Sequence, residues 1–557
     1  MLLKKNKLYF SLIGLSLLSS SLILSACASS KQGIAEIGQD NKKTDLVERR
    51  IDRELEKRAR LVRNNPLYTR LVETLNEGRV EYKKQNYEKS FSVFSSILNN
   101  SRFKSFPEYG YSKYYIAQSL SNMGAYYASL LYYVDIVEND KLRVYTHESL
   151  RQSIAIAQHL KDDELILYLA STISDKKVPK SLKEEFRYFV AKDLYLKKNY
   201  RRAIKLLYSI SKNNRLYLAS RYLLGTIAIK NNSYAKAIDF YKDISNERKN
   251  KLYYEETRLK QLANLALGRI YYEQRNYPLA IVYYKKVQKD NNYYPQGLYE
   301  SSWALFKMRQ FNASLSVLHS VNSPFYEQVY FLKSYLLKGA IFLELCLYDD
   351  ALTALSGVED EFKGIARQID NFAKSNRSPK LYYNALSGKE RQKSGKMIYR
   401  YRDLFNLASA NRDFWGIHQY IESLQKEREL LGKLDQNNAK VITNLITQKE
   451  RELTQRASWL AGQKLKQTRQ LIEDFFTLKD FLRYEIVSTE RKILQTRSLR
   501  LAPPVDLNAN LIKPKFTDSL RESMVWWEYT GEYWADEVGY YLYNLKSICK
   551  DTTSDKK

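Results

Sequence analysis

Seven times along this chain a small residue is followed, twelve positions later, by a second small residue, and four positions after that by a bulky one. The pairs are Gly78 with Ser90, Ala117 with Ser129, Ala191 with Ala203, Gly225 with Ala237, Gly268 with Ala280, Ser302 with Ser314, and Gly339 with Ala351. The bulky followers are Phe94, Tyr133, Leu207, Tyr241, Tyr284, Leu318 and Leu355. Between the two small residues runs a turn, as in Gln85-Asn86-Tyr87, Lys198-Asn199-Tyr200, Asn232-Ser233-Tyr234 and Arg275-Asn276-Tyr277. Such spacing suits two antiparallel helices that cross where one small side chain meets another. The backbones approach there, and the bulky residue one turn on fills the space beside the crossing. Asn in the turn suits a backbone position with φ > 0. Pro278 falls in a first helical turn, where its missing N–H is harmless.

The second members lie 39, 74, 34, 43, 34 and 37 residues apart. A unit of about 34 residues with inserted loops explains most of these gaps. The gap of 74 predicts a degenerate unit over Glu148 to Ser174. The spacing resembles the tetratricopeptide repeat (TPR), which has small residues at its eighth and twentieth positions and a bulky one at its twenty-fourth. The resemblance implies a helical solenoid over 68–360 with a concave groove for a peptide or helix of a partner protein. Composition agrees: 19 Gly and 10 Pro in 557 residues are too few turn formers for a strand-rich fold. The fold class is therefore all-α, a TPR-type solenoid followed by a long-helix, hairpin or coiled-coil-like C-terminal domain.

At the amino terminus Lys4, Lys5 and Lys7 precede an apolar run, Leu8 to Leu24, that closes on Leu24-Ser25-Ala26-Cys27. A short basic region, a short apolar region and small residues before a cut site describe a secretory signal over 1–26. Leu-Ser-Ala-Cys resembles the lipobox of bacterial lipoproteins. The resemblance implies acylation of Cys27, cleavage before it, and anchoring in a lipid bilayer. No Asp follows Cys27, which points to the outer membrane, facing the periplasm. Residues 27–67 read as a tether and lead-in helix.

The net charge is +29, or +26 once Lys4, Lys5 and Lys7 are removed. An exported chain does not meet nucleic acid. Its available counterparts are acidic proteins, anionic headgroups and cell-wall polymers, but the expected reading is a Lys- and Asn-rich composition spread over solvated helix faces. Besides Cys27 there are only Cys346 and Cys549, too few for a disulfide framework or a metal cluster. Cys346 lies in an apolar stretch and reads as a buried small hydrophobe.

Residues 361–396 read as a linker, with a short helix over Leu381 to Leu386. Two helical stretches follow within 397–500, about Met397 to Leu434 and Asn438 to Leu499. The second would reach roughly 90 Å. Its Leu471, Phe475, Leu478, Leu482, Ile486 and Ile493 form one apolar seam for a partner helix. A hairpin back onto the first stretch is the expected packing. Pro503-Pro504 then breaks the helix. Aromatics crowd the final segment, 501–557, including Trp526, Trp527, Tyr533 and Trp534. So many rings require burial, and the expected cover is the long helices. A docking edge on those four residues is the rival reading. The run Gly531-Glu-Tyr-Trp534 to Tyr541 also resembles the carboxyl-terminal end of gliding-motility-associated TPR proteins of deltaproteobacteria, a family linked to envelope-spanning assemblies.

No catalytic motif emerges, and His147, His159, His319 and His418 stand apart from other ligands. Glu300-Ser301-Ser302 resembles the Glu-Ser-Ser motif of lytic transglycosylases, whose glutamate is a general acid. Here it falls inside a repeat, and the Gly-Leu-Met-Gln segment of that family is missing. The expectation is a non-enzymatic envelope scaffold with no cofactor and no metal. A peptidoglycan-binding or peptidoglycan-cleaving factor is the alternative.

Overall fold

The computed structural model describes residues 49, 52–53, 55–58, 65–139, 145–174, 178–247, 254–326, 331–391, 397–434, 437–496, 511–512 and 532–549. The signal region, Cys27, Trp526 and Trp527 lie outside the described residues. Sixteen helices form eight consecutive antiparallel pairs. They are α1 (Pro66–Lys83) with α2 (Tyr87–Asn99), α3 (Tyr109–Asn122) with α4 (Tyr126–Asn139), and α5 (Thr146–Leu160) with α6 (Asp163–Thr172). Next come α7 (Lys183–Leu196) with α8 (Tyr200–Tyr208), α9 (Tyr217–Lys230) with α10 (Tyr234–Ser245), and α11 (Tyr254–Glu273) with α12 (Tyr277–Lys285). The last are α13 (Tyr294–Lys307) with α14 (Phe311–Val321), and α15 (Leu332–Glu344) with α16 (Tyr348–Ser356).

One turn joins the two helices of every pair. A left-handed residue ends the first helix, at Gln85, Gly124, Lys161, Lys198, Asn232, Arg275, Arg309 and Cys346. The next N–H donates to the carbonyl five residues back, at 2.8 to 3.0 Å in all eight turns. This is the bond that closes a Schellman motif. The expected role of Asn is thus corrected. Only Asn232 takes the positive φ; Asn86, Asn199 and Asn276 are N-caps, each accepting from an N–H three residues on. Their side-chain oxygens satisfy a donor that the new helix leaves unpaired.

The ring or branch of each bulky follower lies where the small residue leaves room. A Cβ on Gly78, Gly225 or Gly268 would come within 2.7, 2.7 and 2.5 Å of the rings of Phe94, Tyr241 and Tyr284, and one on Gly339 within 3.0 Å of Leu355. Ser90 Oγ donates to Gly78 O at 3.2 Å, and Ser314 Oγ to Ser302 O at 2.8 Å. All seven second members are fully buried, as are Ala117, Ala191 and Ser302 among the first. In the third pair, α5 with α6, the same register holds Ile154 and Ile166, and the follower is the small Ala170. Volume is exchanged between positions and the turn at Lys161 is kept, which explains why spacing alone sees this pair as a gap.

After the solenoid the expected linker is instead largely helical: α17 (Glu359–Ser375) and α18 (Tyr382–Ser387), with β1 (Lys389–Arg391) beyond. Phe362, Ala366, Ile369 and Phe372 give α17 an apolar stripe that is buried. The stretch from Met397 is also not one helix. It holds β2 (Met397–Tyr399), paired antiparallel with β1, then α19 (Arg402–Ser409) and α20 (Arg412–Gly432). The long helix α21 (Asn437–Thr496) runs unbroken for 60 residues, through Gly462. It packs against α20 as a hairpin, where Arg428 and Gln425 both reach Glu450.

Candidate interaction surface

First helices of neighbouring pairs touch one another, as α1 does α3, α7 does α9, and α9, α11, α13 and α15 do in series. The stack is tightest along that side, which makes the first helices its inner wall. A polar ladder follows the wall. Arg79 Nε donates to Tyr115 OH at 3.1 Å, Tyr82 OH to Gln118 at 3.3 Å, and Gln118 to Tyr114 OH at 2.9 Å. Further along, Lys192 meets Asp163 at 3.0 Å, and Arg269 grips both oxygens of Glu300 at 2.9 and 3.0 Å. Gln296 adds a bond to Glu300 at 2.6 Å. Glu300 is therefore a buried strut between α11 and α13, with its oxygens turned to neighbours in the wall. Desolvation raises the hydroxyl pKa of Tyr222 to about 12 and holds that of Tyr284 well above its ordinary value.

The C-terminal helices lie against both ends of this stack. At the amino-terminal end, residues of α17 to α21 share one core with the first three pairs. Glu427 of α20 accepts from Tyr127 N at 3.0 Å and Ala128 N at 3.1 Å, capping α4 from 300 residues away. Burial pushes its carboxyl up to about 7, against the pull of those N–H groups. Tyr420 OH donates to Asp162 at 3.1 Å, and Arg456 pairs with Glu164. At the other end, the later half of α21 lies on α15, α16 and α17. Leu482 comes 3.4 Å from where a Cβ on Gly339 would stand, and Ile486 is fully buried in the core of the last pairs. Lys479 is buried against Glu359 at 2.7 Å, and Arg469 meets Asp370 at 3.1 Å. The seam on α21 thus faces the last pair of the solenoid and α17, where Phe475 meets Phe362 edge to face at 5.6 Å, and not α20. Leu471 stays 44% exposed, beside a notch of about 180 Å³ between Tyr299, Leu332 and Leu336 on one side and Phe475 and Leu478 on the other. The side chain of Ile493 lies outside the described residues.

The described part of the aromatic segment, residues 532–549, is a strap on α14, which corrects its expected place over the long helices. Tyr543 N donates to Ser316 Oγ at 2.9 Å, Gly539 N to Ser320 Oγ at 2.8 Å, and Leu545 N to Asn312 Oδ1 at 2.9 Å. Asn312, Ser316 and Ser320 recur every four residues, so one face of α14 meets an extended chain rung by rung. Tyr533 stacks on His319 at 5.0 Å, while Trp534 is 52% exposed. Burial under these rings drives the His319 pKa down to about 3. β3 (Leu511–Ile512) pairs with β4 (Leu542–Tyr543) on the strap. The strap ends in a disulfide, Cys549 to Cys346, with Cα atoms 5.3 Å apart. Cys346 is therefore not a free buried hydrophobe; it is the left-handed residue of the last repeat turn and anchors the strap. The even pair of cysteines left once Cys27 is set aside was the available signal.

Between the two covered ends lie α7 to α12. Their core contains no residue of the C-terminal helices among the described residues. The start of α20 reaches them, where Arg412 comes 3.7 Å from Glu255. This stretch is the open inner wall, with Leu196 45% exposed on it. A model of the family described as anaphase-promoting complex, cyclosome, subunit 3 matches residues 169–244, which hold α7 to α10. No curated protein matches the chain. That match, with eight pairs sharing one turn and one packing register, makes this an all-α protein of TPR-type repeats, a fold that presents surfaces to other proteins.

Proposed function

We propose that the protein is a non-enzymatic scaffold of the bacterial envelope, held in the outer membrane through acylated Cys27 and facing the periplasm. The open inner wall of α7 to α12, flanked by ends that the chain's own helices cover, carries the scaffold reading. A partner helix or extended segment would lie there, directed to the middle by the two occupied ends. Leu24-Ser25-Ala26-Cys27 supports the anchor. The Cys346–Cys549 bond supports an oxidising compartment, since such bonds persist there and are rare in reducing ones. Work in an envelope machine, for secretion, outer-membrane assembly, motility or cell-wall control, fits a lipid-held scaffold.

Two measurements test this. Palmitate labelling of cells should mark the wild-type chain and vanish in Cys27→Ala; labelling that persists in the variant removes the anchor. Photo-crosslinkers at Leu196 and Ile229 should capture a protein, whereas crosslinkers at Leu482 should capture only this chain. Equal capture at both places removes the open-wall reading.

A further inference from the structure

On the opposite side of the middle pairs, Arg221 of α9 occupies a notch between the second helices α8 and α10. Its guanidinium carbon lies 4.7 Å from the Tyr217 ring, 5.6 Å from Tyr208 and 6.0 Å from Phe240. Tyr208 and Phe240 meet edge to face across the notch at 6.0 Å. The Arg221 Nε is buried without a hydrogen bond, the only arginine nitrogen in that condition among the described residues. Other buried arginines have carboxylates: Arg79 has Asp52, Arg258 has Glu255, and Arg269 has Glu300. The repeats sharpen the comparison. Arg221 stands four residues before Gly225; in two of the other pairs the same register holds Lys113, paired with Asp135, and Asn264, bonded to Ser245 and to Lys286 O. In α7 it holds Arg187, and in the other four pairs Thr74, Leu150, Leu298 and Tyr335. In α9 the acid is missing and three rings stand in its place. A cation held against aromatic faces keeps its charge available to an outside anion.

The α8 side of the notch is basic, while α10 carries Asp239 and Asp243 beside Lys236 and Lys242. Helix α8 carries Arg201, Arg202 and Lys205 and no acidic residue. Lys205 lies one turn from Tyr208, and Lys236 one turn from Phe240. Lys205 and Lys236 are exposed, and Tyr208 is 55% exposed. We propose that this notch is a docking point for a glutamate or aspartate of an acidic partner segment, with Tyr208 and Phe240 receiving the apolar residue beside it. The planar fork of arginine suits a two-oxygen acceptor, and the cations of α8 suit an acidic neighbour on that side. The proposal rests on the scaffold reading for the existence of a protein partner. It concerns the outer side of the stack, so it stands or falls apart from the inner wall.

The test titrates the full chain with a fluorescent capped peptide that alternates glutamate and leucine, read by anisotropy. Saturable binding is expected. It should weaken about tenfold or more in Arg221→Gln and in the glutamine version of the peptide, the loss of one charge-assisted contact. Arg221→Lys should recover only part of it. Tyr208→Ser, at an exposed ring, serves as the second variant should Arg221→Gln melt early, and should weaken binding as well. No saturable binding, or equal binding of the glutamine peptide, overturns the proposal. So does displacement of the peptide by millimolar phosphate or by anionic vesicles, which would make the notch a general anion site.

Discussion

A glycine here is a statement about the ring opposite it. Gly268 faces Tyr284, whose buried ring cannot swing aside, and a methyl group would stand 2.5 Å from it. Gly268→Ala should therefore cost about 1–3 kcal/mol, the usual range for overpacking. Gly364, inside α17 with nothing within 4 Å of its missing Cβ, is the control. Gly364→Ala should gain about 0.5–1 kcal/mol from helix propensity. Thermal melts of both variants check the contrast, and equal shifts would mean that the ring does not hold the position. Residues of this kind are legible in a sequence because sterics acts locally and recurs with the repeat. Glu427 is not legible. Its role depends on N–H groups that approach only after 300 intervening residues have folded.

Helices and their turns were read well where a small-residue spacing or a proline marked them, and poorly where partners came from elsewhere. The later half of α21 shows both outcomes. Its seam is plain from the recurrence of Leu, Phe and Ile, yet periodicity carries no address, and the seam went to α15 rather than to α20. The strap fails in the same way: aromatic density calls for burial without naming the cover. The ladder of Asn312, Ser316 and Ser320 was visible at four-residue spacing, but small polar residues on a helix face are common. The strap now makes its own forecast. Cys549→Ser leaves the bonds to Asn312, Ser316 and Ser320, the Ile548 N–H on Leu345 O at 3.1 Å, the Lys289 bond to Asp536 O and the rings over His319 to hold it. Loss of the bond should lower stability by about 2–4 kcal/mol. Proteases should then cut near 532–549 first. An unchanged melt and cleavage pattern would show that the rings alone suffice.

For the molecule as a whole, the two covered ends respond to pH in opposite senses. The Glu427 carboxyl is raised from 4.5 to about 7 in the folded protein. The folded state therefore holds a proton that the unfolded chain gives up, and docking of α20 weakens as pH rises from about 4.5 through 7. His319 is lowered from 6.5 to about 3. The unfolded chain binds that proton first, so the strap weakens as pH falls from about 6.5 toward 3. Hydrogen exchange at α4 should speed up between pH 5 and 8, after correction for intrinsic rates, and Glu427→Gln should flatten the trend. Exchange along the strap should show the reverse slope below pH 6.5, and His319→Phe should remove it. Parallel slopes at the two ends would contradict this assignment. The bond from Cys346 to Cys549 has one more consequence, for how the molecule comes apart. It closes a covalent ring over 203 residues, which holds α16 to α21 and the strap. A single cut anywhere in that ring leaves every piece tied to the solenoid. A nicked molecule would keep its full mass on a gel until a reductant is added, and damage to the long helix would not release its fragments.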